Sequence, residues 1–200
     1  PANMGEYSEL LPGQGMVING ATITGSETGI SLSNTVGTFT NVVITDPSSV
    51  GLTADRKNNF AVDGLTVTDS TGTGLTNGVV INPTATGVQS ITNSNFDGLN
   101  TAISLNNDVS TTISSTTIND AQTGISTSTQ SSAPYTINGV TMTNVETGVL
   151  FRGNGEMTMT GSSISSTLYD VEMSGAGSIT FIDGTVDQTK VDISSTGTFF

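Results

Sequence analysis

Apolar residues recur along this chain at a steady spacing and never gather into long runs. With Ile23, Ile44, Val67, Phe96, Ile118, Met142, Ile164 and Val186 as anchors, the intervals are 21, 23, 29, 22, 24, 22 and 22 residues. Anchors chosen for being apolar prove nothing, so independent positions supply the test. Five residues before them stand Ile18, Phe39, Val62, Ile91, Ile113, Ile137, Met159 and Phe181. All are apolar in a chain that is 34% apolar. Seven residues after them, eight in two repeats, stand Ile30, Leu52, Leu75, Ile103, Ile125, Val149, Val171 and Ile193, again all apolar. Glycine directly precedes several of these, at Gly29, Gly51, Gly74, Gly124 and Gly148.

Each repeat therefore predicts three short strands with inward apolar and outward polar residues alternating, the period of two that a half-buried strand requires. The first strand ends at a two-residue corner such as Asn19-Gly20, Thr40-Asn41, Asp63-Gly64 or Asn138-Gly139. Glycine and asparagine suit the left-handed backbone of such a corner. The second strand carries the anchor, as in Ala21-Thr22-Ile23-Thr24. A turn rich in Asp, Ser and Gly follows, then a third strand such as Gly148-Val149-Leu150-Phe151. The 29-residue interval predicts an extra loop, Asn77–Pro83, bulging near the third repeat.

A period near 22 residues with sharp corners reads as a solenoid in which each coil stacks about 4.8 Å beyond the last. The predicted fold is all-β: a right-handed parallel β-helix, a three-sheet solenoid of about eight coils and roughly 38 Å long. Residues 1–14 are expected to form an N-terminal cap or lead-in, with Tyr7–Pro12 as the capping segment, and residues 15–200 the β-helix. The repeat, G-[IVL]-x followed by [IV]-x-N/G-x-x-[IV]-T, resembles that of the pectate-lyase-like superfamily over about residues 15–195. That resemblance implies the fold but leaves function open among polysaccharide lyases and hydrolases, tailspikes, adhesins and surface-layer-type proteins. Two immunoglobulin-like sandwiches would share the Thr- and Gly-rich composition, but not the 22-residue recurrence.

Composition narrows the chemistry. There is no Cys or His, so zinc fingers, disulfides, thiol nucleophiles and Ser-His-Asp triads are excluded. Seventeen acidic residues against four basic give a net charge of −13. Nucleic acid and anionic membrane surfaces are poor partners for that charge, and no apolar run is long enough to insert into a bilayer. Ser and Thr make up about 30% of the chain. Acidity, Thr richness and absence of Cys fit an extracellular or cell-surface protein of a salty setting, although a halophile's cytoplasm would select the same charge. Pro1 is not an initiator, which points to processing or a cut fragment. No N-x-[ST] acceptor occurs, so N-glycosylation is not expected.

Candidate sites are few. The outward positions of the Gly-led strand are Ser31, Thr53, Thr76, Ser104, Ser126, Leu150, Glu172 and Ser194, so hydroxyls dominate and no carboxylate pair is expected to stack there. In the enzymes that the resemblance brings to mind, clustered Asp with calcium and a basic residue, or paired carboxylates flanking the scissile bond, carry the reaction. The nearest equivalent is Arg152, Asp170, Glu172 and Asp192, with Glu156 and Lys190 nearby. This group reads either as a glycan or catalytic cleft or as a surface ion-pair ladder worth little per pair. Asp46, Asp69 and Asp120 share one register with Asn144, two residues after the anchor. They could converge on calcium, which wants several oxygens, or could serve as turn residues accepting backbone N–H bonds. Apart from that possible calcium, no cofactor is expected. Thr22-x-Thr24, Thr66-x-Thr68 and Thr141-x-Thr143 suggest an ice-binding lattice, but Asn95-x-Asp97 and Thr117-x-Asn119 interrupt it, and Thr is in any case a good strand former.

A solenoid exposes backbone and core at its ends, and Thr196–Phe200 shows no obvious blocker. The reading is a non-catalytic extracellular β-helix with a structural or surface-assembly role, homo-oligomeric or stacking end to end. A glycan-binding adhesin or tailspike-like module is the first alternative and a polysaccharide lyase or hydrolase the second.

Overall fold

The computed structural model describes residues 15–200 except 57, 58, 73, 86, 107 and 195. The expected cap at 1–14 lies outside the described residues. The chain forms an all-β parallel solenoid of about eight turns of ~22 residues. One sheet has nine strands, from Gly15–Asn19 to Thr198–Phe199, each parallel to the strand one circuit later. The other two faces form a single 13-stranded sheet. They join because Thr141–Phe151 and Ser163–Met173 are each 11-residue strands that run through the corner where earlier coils turn.

Register places the predicted ladders directly above one another. Ile18, Phe39, Val62, Ile91, Ile113, Ile137, Met159 and Phe181 are successive partners. The anchors pair likewise from Ile23 to Ile164. Most of these side chains are fully buried in one continuous core, and each is worth about 1.5–3 kcal/mol of burial.

The corner between these two ladders is as regular as the sequence implies. Its second residue has positive φ in every coil: Gly20, Asn41, Gly64, Asn93, Ser115, Gly139, Gly161 and Asp183. Its N–H donates to a carbonyl one circuit on, as Gly20 to Thr40 and Gly139 to Thr160. Corner and strands thus share one axial hydrogen-bond ladder.

The third ladder differs from expectation at two coils. Leu52 pairs with Val79, not Leu75, and Leu75 is 72% exposed. Asn77–Ile81 is a regular strand, so the expected bulge at 77–83 is absent; the extra residues lie mainly between Thr68 and Asn77. Counting a fixed distance from the anchor fails there because this corner varies in length. At the other end Val171 pairs with Val191, and Ile193 pairs with Met173. The last step is thus 20 residues, two short of the usual circuit, and Val191 takes the ladder position expected of Ile193.

Glycine before the third ladder has a steric cause. A Cβ on Gly29 would lie 2.8 Å from the Ile44 side chain, one on Gly51 2.8 Å from Val67, and one on Gly124 2.7 Å from the Met142 sulfur. Each missing side chain makes room for the anchor of the next coil and for that coil's backbone, with Gly51 O 2.5 Å from the Gly29 Cβ position and Gly148 O 2.6 Å from the Gly124 Cβ position. Gly78, not Gly74, holds this place in coil three, with Phe96 beside it.

Candidate functional site

With the register known, the outward column of the third ladder runs Ser31, Thr53, Val80, Ser104, Ser126, Leu150, Glu172 and Asp192. Thr76 is not outward. It is buried, and its hydroxyl donates to Pro47 O at 2.8 Å. Asp192 replaces Ser194, which corrects the expectation that no carboxylates stack: Glu172 and Asp192 are direct partners on adjacent strands. Neighbouring strands lie about 4.8 Å apart, and like charges so placed repel.

The expected group of Arg152, Asp170, Glu172 and Asp192 divides. Arg152 follows Phe151, the partner of Met173. It therefore sits diagonally from Glu172, about 7–8 Å away between Cα atoms. Arg152, Glu172 and Asp192 share the outer face. Asp170 does not, being 1% exposed with its carboxylate turned inward. It occupies the column that holds Gly29, Gly51, Gly78, Gly124 and Gly148 in earlier coils; Gly148 lies against its carbonyl. In that column a side chain can only point into the core. Glu156 lies on the nine-stranded sheet, opposite Ser178. Lys190 reaches Ser166 O with its Nζ at 2.5 Å.

Asp46, Asp69 and Asp120 lie in the second corner, in a column with Gly25, Gly98 and Asn144 between and beside them. Gly25, Asp46, Gly98, Asp120 and Asn144 all have positive φ. The residue types here follow from backbone conformation, since Asn, Asp and Gly tolerate it best. The carboxylates are engaged separately. Asp46 Oδ1 accepts from Ser70 N at 2.7 Å and Ser70 Oγ at 2.8 Å. Asp69 accepts from Thr71 N at 3.0 Å and from the Thr71 hydroxyl, and Asp120 accepts from the Asn144 amide. Gly98 separates Asp69 from Asp120. Among the described residues no group of three or more acidic side chains is placed to hold a metal ion.

Titration is perturbed at three places. The Ser132 hydroxyl and N–H hold the Asp108 carboxyl below its ordinary value. The Thr189 hydroxyl and N–H do the same for Asp187. Burial raises Tyr135, which shares a hydrogen bond with the Ser131 hydroxyl inside the core. These are turn and core interactions, with the Lys190 charge adding to the lowering at Asp187.

One surface feature escaped the sequence reading. On the nine-stranded sheet Ser90, Thr112, Thr136, Thr158 and Thr180 stack in unbroken register. Its signal in the sequence is a hydroxyl residue two positions before each of these corners. Among the described residues no helix is long and apolar enough to cross a membrane.

Comparison with protein-family models, curated proteins and solved structures finds no match. The geometry alone therefore carries the functional reading.

Proposed function

We propose that this chain is a non-catalytic β-solenoid of the cell exterior or surface, with a structural or surface-assembly role that includes end-to-end stacking of copies. One observation supports this above the rest. The outer face of the nine-stranded sheet carries hydroxyls in register from Ser90 to Thr180, while most of the acidic residues with partners are engaged in corners. Such a face suits repeated, low-specificity contact. Parallel ladders present the same donors and acceptors at each circuit, so a second copy can extend them by edge addition. The net charge of −13 opposes lateral aggregation. The parallel solenoid of about eight turns supports reading the scaffold as pectate-lyase-like, and the proposal takes that scaffold without its chemistry. Sedimentation velocity and electron microscopy over a rising concentration series test the stacking. Growing linear species are expected, and a strict monomer throughout removes that part of the proposal.

A second reading rests on the stacked Glu172 and Asp192 beside Arg152: a glycan-binding face, with polysaccharide cleavage as its extension. A glycan array in the presence and absence of calcium decides it. Retained hits that vanish in Arg152→Ala and Glu172→Gln support it, and an array with no hits removes it.

A further inference from the structure

The joint between coils seven and eight is built unlike every earlier one. Elsewhere the second corner carries the axial ladder in its backbone, as in Gly25 N to Thr45 O, Asp46 N to Thr68 O and Asp120 N to Thr143 O. At coil eight that corner is replaced by a short 3₁₀ turn, Gln188–Lys190. The backbone ladder reaches Thr185, whose carbonyl accepts from Ile164 N, and resumes at Val191, which pairs with Val171. Between these points, among the described residues, the hydrogen bonds to coil seven run through two side chains. Asp170 Oδ2 accepts from Asp187 N at 2.6 Å, and Lys190 Nζ donates to Ser166 O. Asp170 Oδ1 meanwhile accepts from Ser166 N at 3.0 Å and Ser166 Oγ at 2.5 Å.

We propose that the buried carboxylate of Asp170 is the fastening that holds the 183–194 part of coil eight on coil seven, so that this segment opens as a unit of its own. The glycine column explains the choice of residue. Where an anchor of the next coil must pass, the column holds glycine or, at Ala102, a single methyl group. At coil eight the chain from Val186 to Lys190 leaves its usual path, and the space takes a carboxylate. A buried carboxylate needs its lone pairs filled, and three donors from two coils fill them. Lys190 is the charged group that faces this cluster from the 3₁₀ turn; Asp187 turns its own carboxylate to Thr189. The rest of the segment 183–194 adds little to its hold: Val186 and Val191 are only half-buried, and Ile193 is 39% exposed. Segments with few buried apolar contacts and few backbone ties are those that open separately from the whole. Opening would bare the edge of the strand Ser163–Met173, a template for an incoming strand.

Hydrogen exchange read by mass spectrometry on the full chain tests this. In the unmodified protein, amides of residues 183–194 are expected to exchange at least tenfold faster than those of coils two to six. Asp170→Asn keeps the shape and removes the charge that accepts all three bonds. It is expected to speed exchange at 183–194 a further tenfold or more, with coils two to six unchanged. Ser166→Ala, which deletes one donor, is expected to give a smaller acceleration at the same place. Acceleration spread evenly over all coils, or none at 183–194, overturns the proposal. If Asp170→Asn does not fold, the unmodified chain still decides, since equal protection of 183–194 and coils two to six overturns it. Sedimentation of the same variant separates this from the stacking role. Local opening without any change in association keeps the fastening and counts against the assembly reading.

Discussion

Coils two to five and coils six to eight solve the same problem differently. The lower coils turn sharply twice between their three strands, at left-handed residues such as Asn41 and Asp46 in one coil and Asn93 and Gly98 in another. Their core is aliphatic and aromatic: Ile44, Leu52, Val67, Phe96 and Ile103 are fully buried. The upper coils keep the first turn, at Gly139, Gly161 and Asp183, and lose the second. Coil six runs through it as one strand that absorbs the left-handed Asn144 as a bulge, with register shifts from Thr143 to Thr147. Coil seven has no left-handed residue at that corner. Its core neighbours are adaptable, with Met142, Met157, Met159 and Met173 all buried. A solenoid therefore needs its axial register far more than it needs a fixed cross-section. Where the corner straightens, unbranched thioether side chains fill the altered gaps.

The largest expected effect comes from testing that difference in the core. Phe96→Ala should destabilise the lower coils by about 3–5 kcal/mol, because the rigid ladders around it cannot close on the cavity. Met159→Leu in the upper coils should cost less than about 1.5 kcal/mol, as volume-conserving changes do. Denaturant unfolding checks both. A loss at Met159→Leu well above about 1.5 kcal/mol would mean that the methionine-rich region is packed as rigidly as the aliphatic one and would erase the contrast.

A smaller pair isolates the corners. Ser115 sits at φ 49 in the first corner, outside the conformations that L residues favour. Ser115→Gly should stabilise the fold by about 1 kcal/mol, the scale of the left-handed penalty. Ser165 lies in the extended strand Ser163–Met173, which runs through the lost corner. Ser165→Gly should destabilise by about 0.5–1 kcal/mol. Thermal unfolding of the two variants should move in opposite directions. Movement in the same direction would show that the two corners do not differ in backbone demand.

The same contrast decides what the sequence made legible. The first two ladders could be read completely because a corner of constant length separates them, so one anchor fixes its partner. The third could not, because the second corner expands in coil three and becomes a 3₁₀ turn in coil eight. Leu75 and Ile193 were misplaced for that reason, and with Ile193 went the stacking of Glu172 on Asp192. Asp170 was misplaced by grouping it with Glu172 on the outer face. Residues 170 and 172 of a strand should share a face, but Asp170 is buried beside the buried Val171, as Gly124 is beside Ile125 in an earlier coil. Its position before a ladder residue, where Gly29, Gly51 and Gly148 stand in other coils, was the available clue. The acidic column at Asp46 and Asp120 was legible as a register, and only the φ values gave its cause.

The smallest effect concerns acid, and it compares one carboxylate from each region. Asp108, in the fifth coil, accepts from Ser132 N at 2.8 Å and Ser132 Oγ at 2.6 Å. Asp187, in the eighth, accepts from Thr189 N at 2.9 Å and Thr189 Oγ1 at 2.6 Å. Both carboxyls are held below the ordinary 3.8, chiefly by these hydroxyls. A carboxyl lowered in the folded state contributes stability that is fully present above the unfolded value and is lost as pH falls through the folded one. Each should therefore weaken its own coil only below about pH 4. Both are open to solvent, so the effect is small. Its location is the informative part. Hydrogen exchange between pH 5 and 3, corrected for the intrinsic rate, should show loss of protection around Ser132 that Asp108→Asn makes independent of pH. Loss around Thr189 should likewise be made independent of pH by Asp187→Asn. If the eighth coil is fastened by Asp170, acid weakening at Asp187 should spread across residues 183–194. Weakening at Asp108 should stay within its own corner, because backbone ladders on both sides hold it. Spread in the fifth coil matching that in the eighth would remove the distinction between a corner tied by backbone and one tied by side chains.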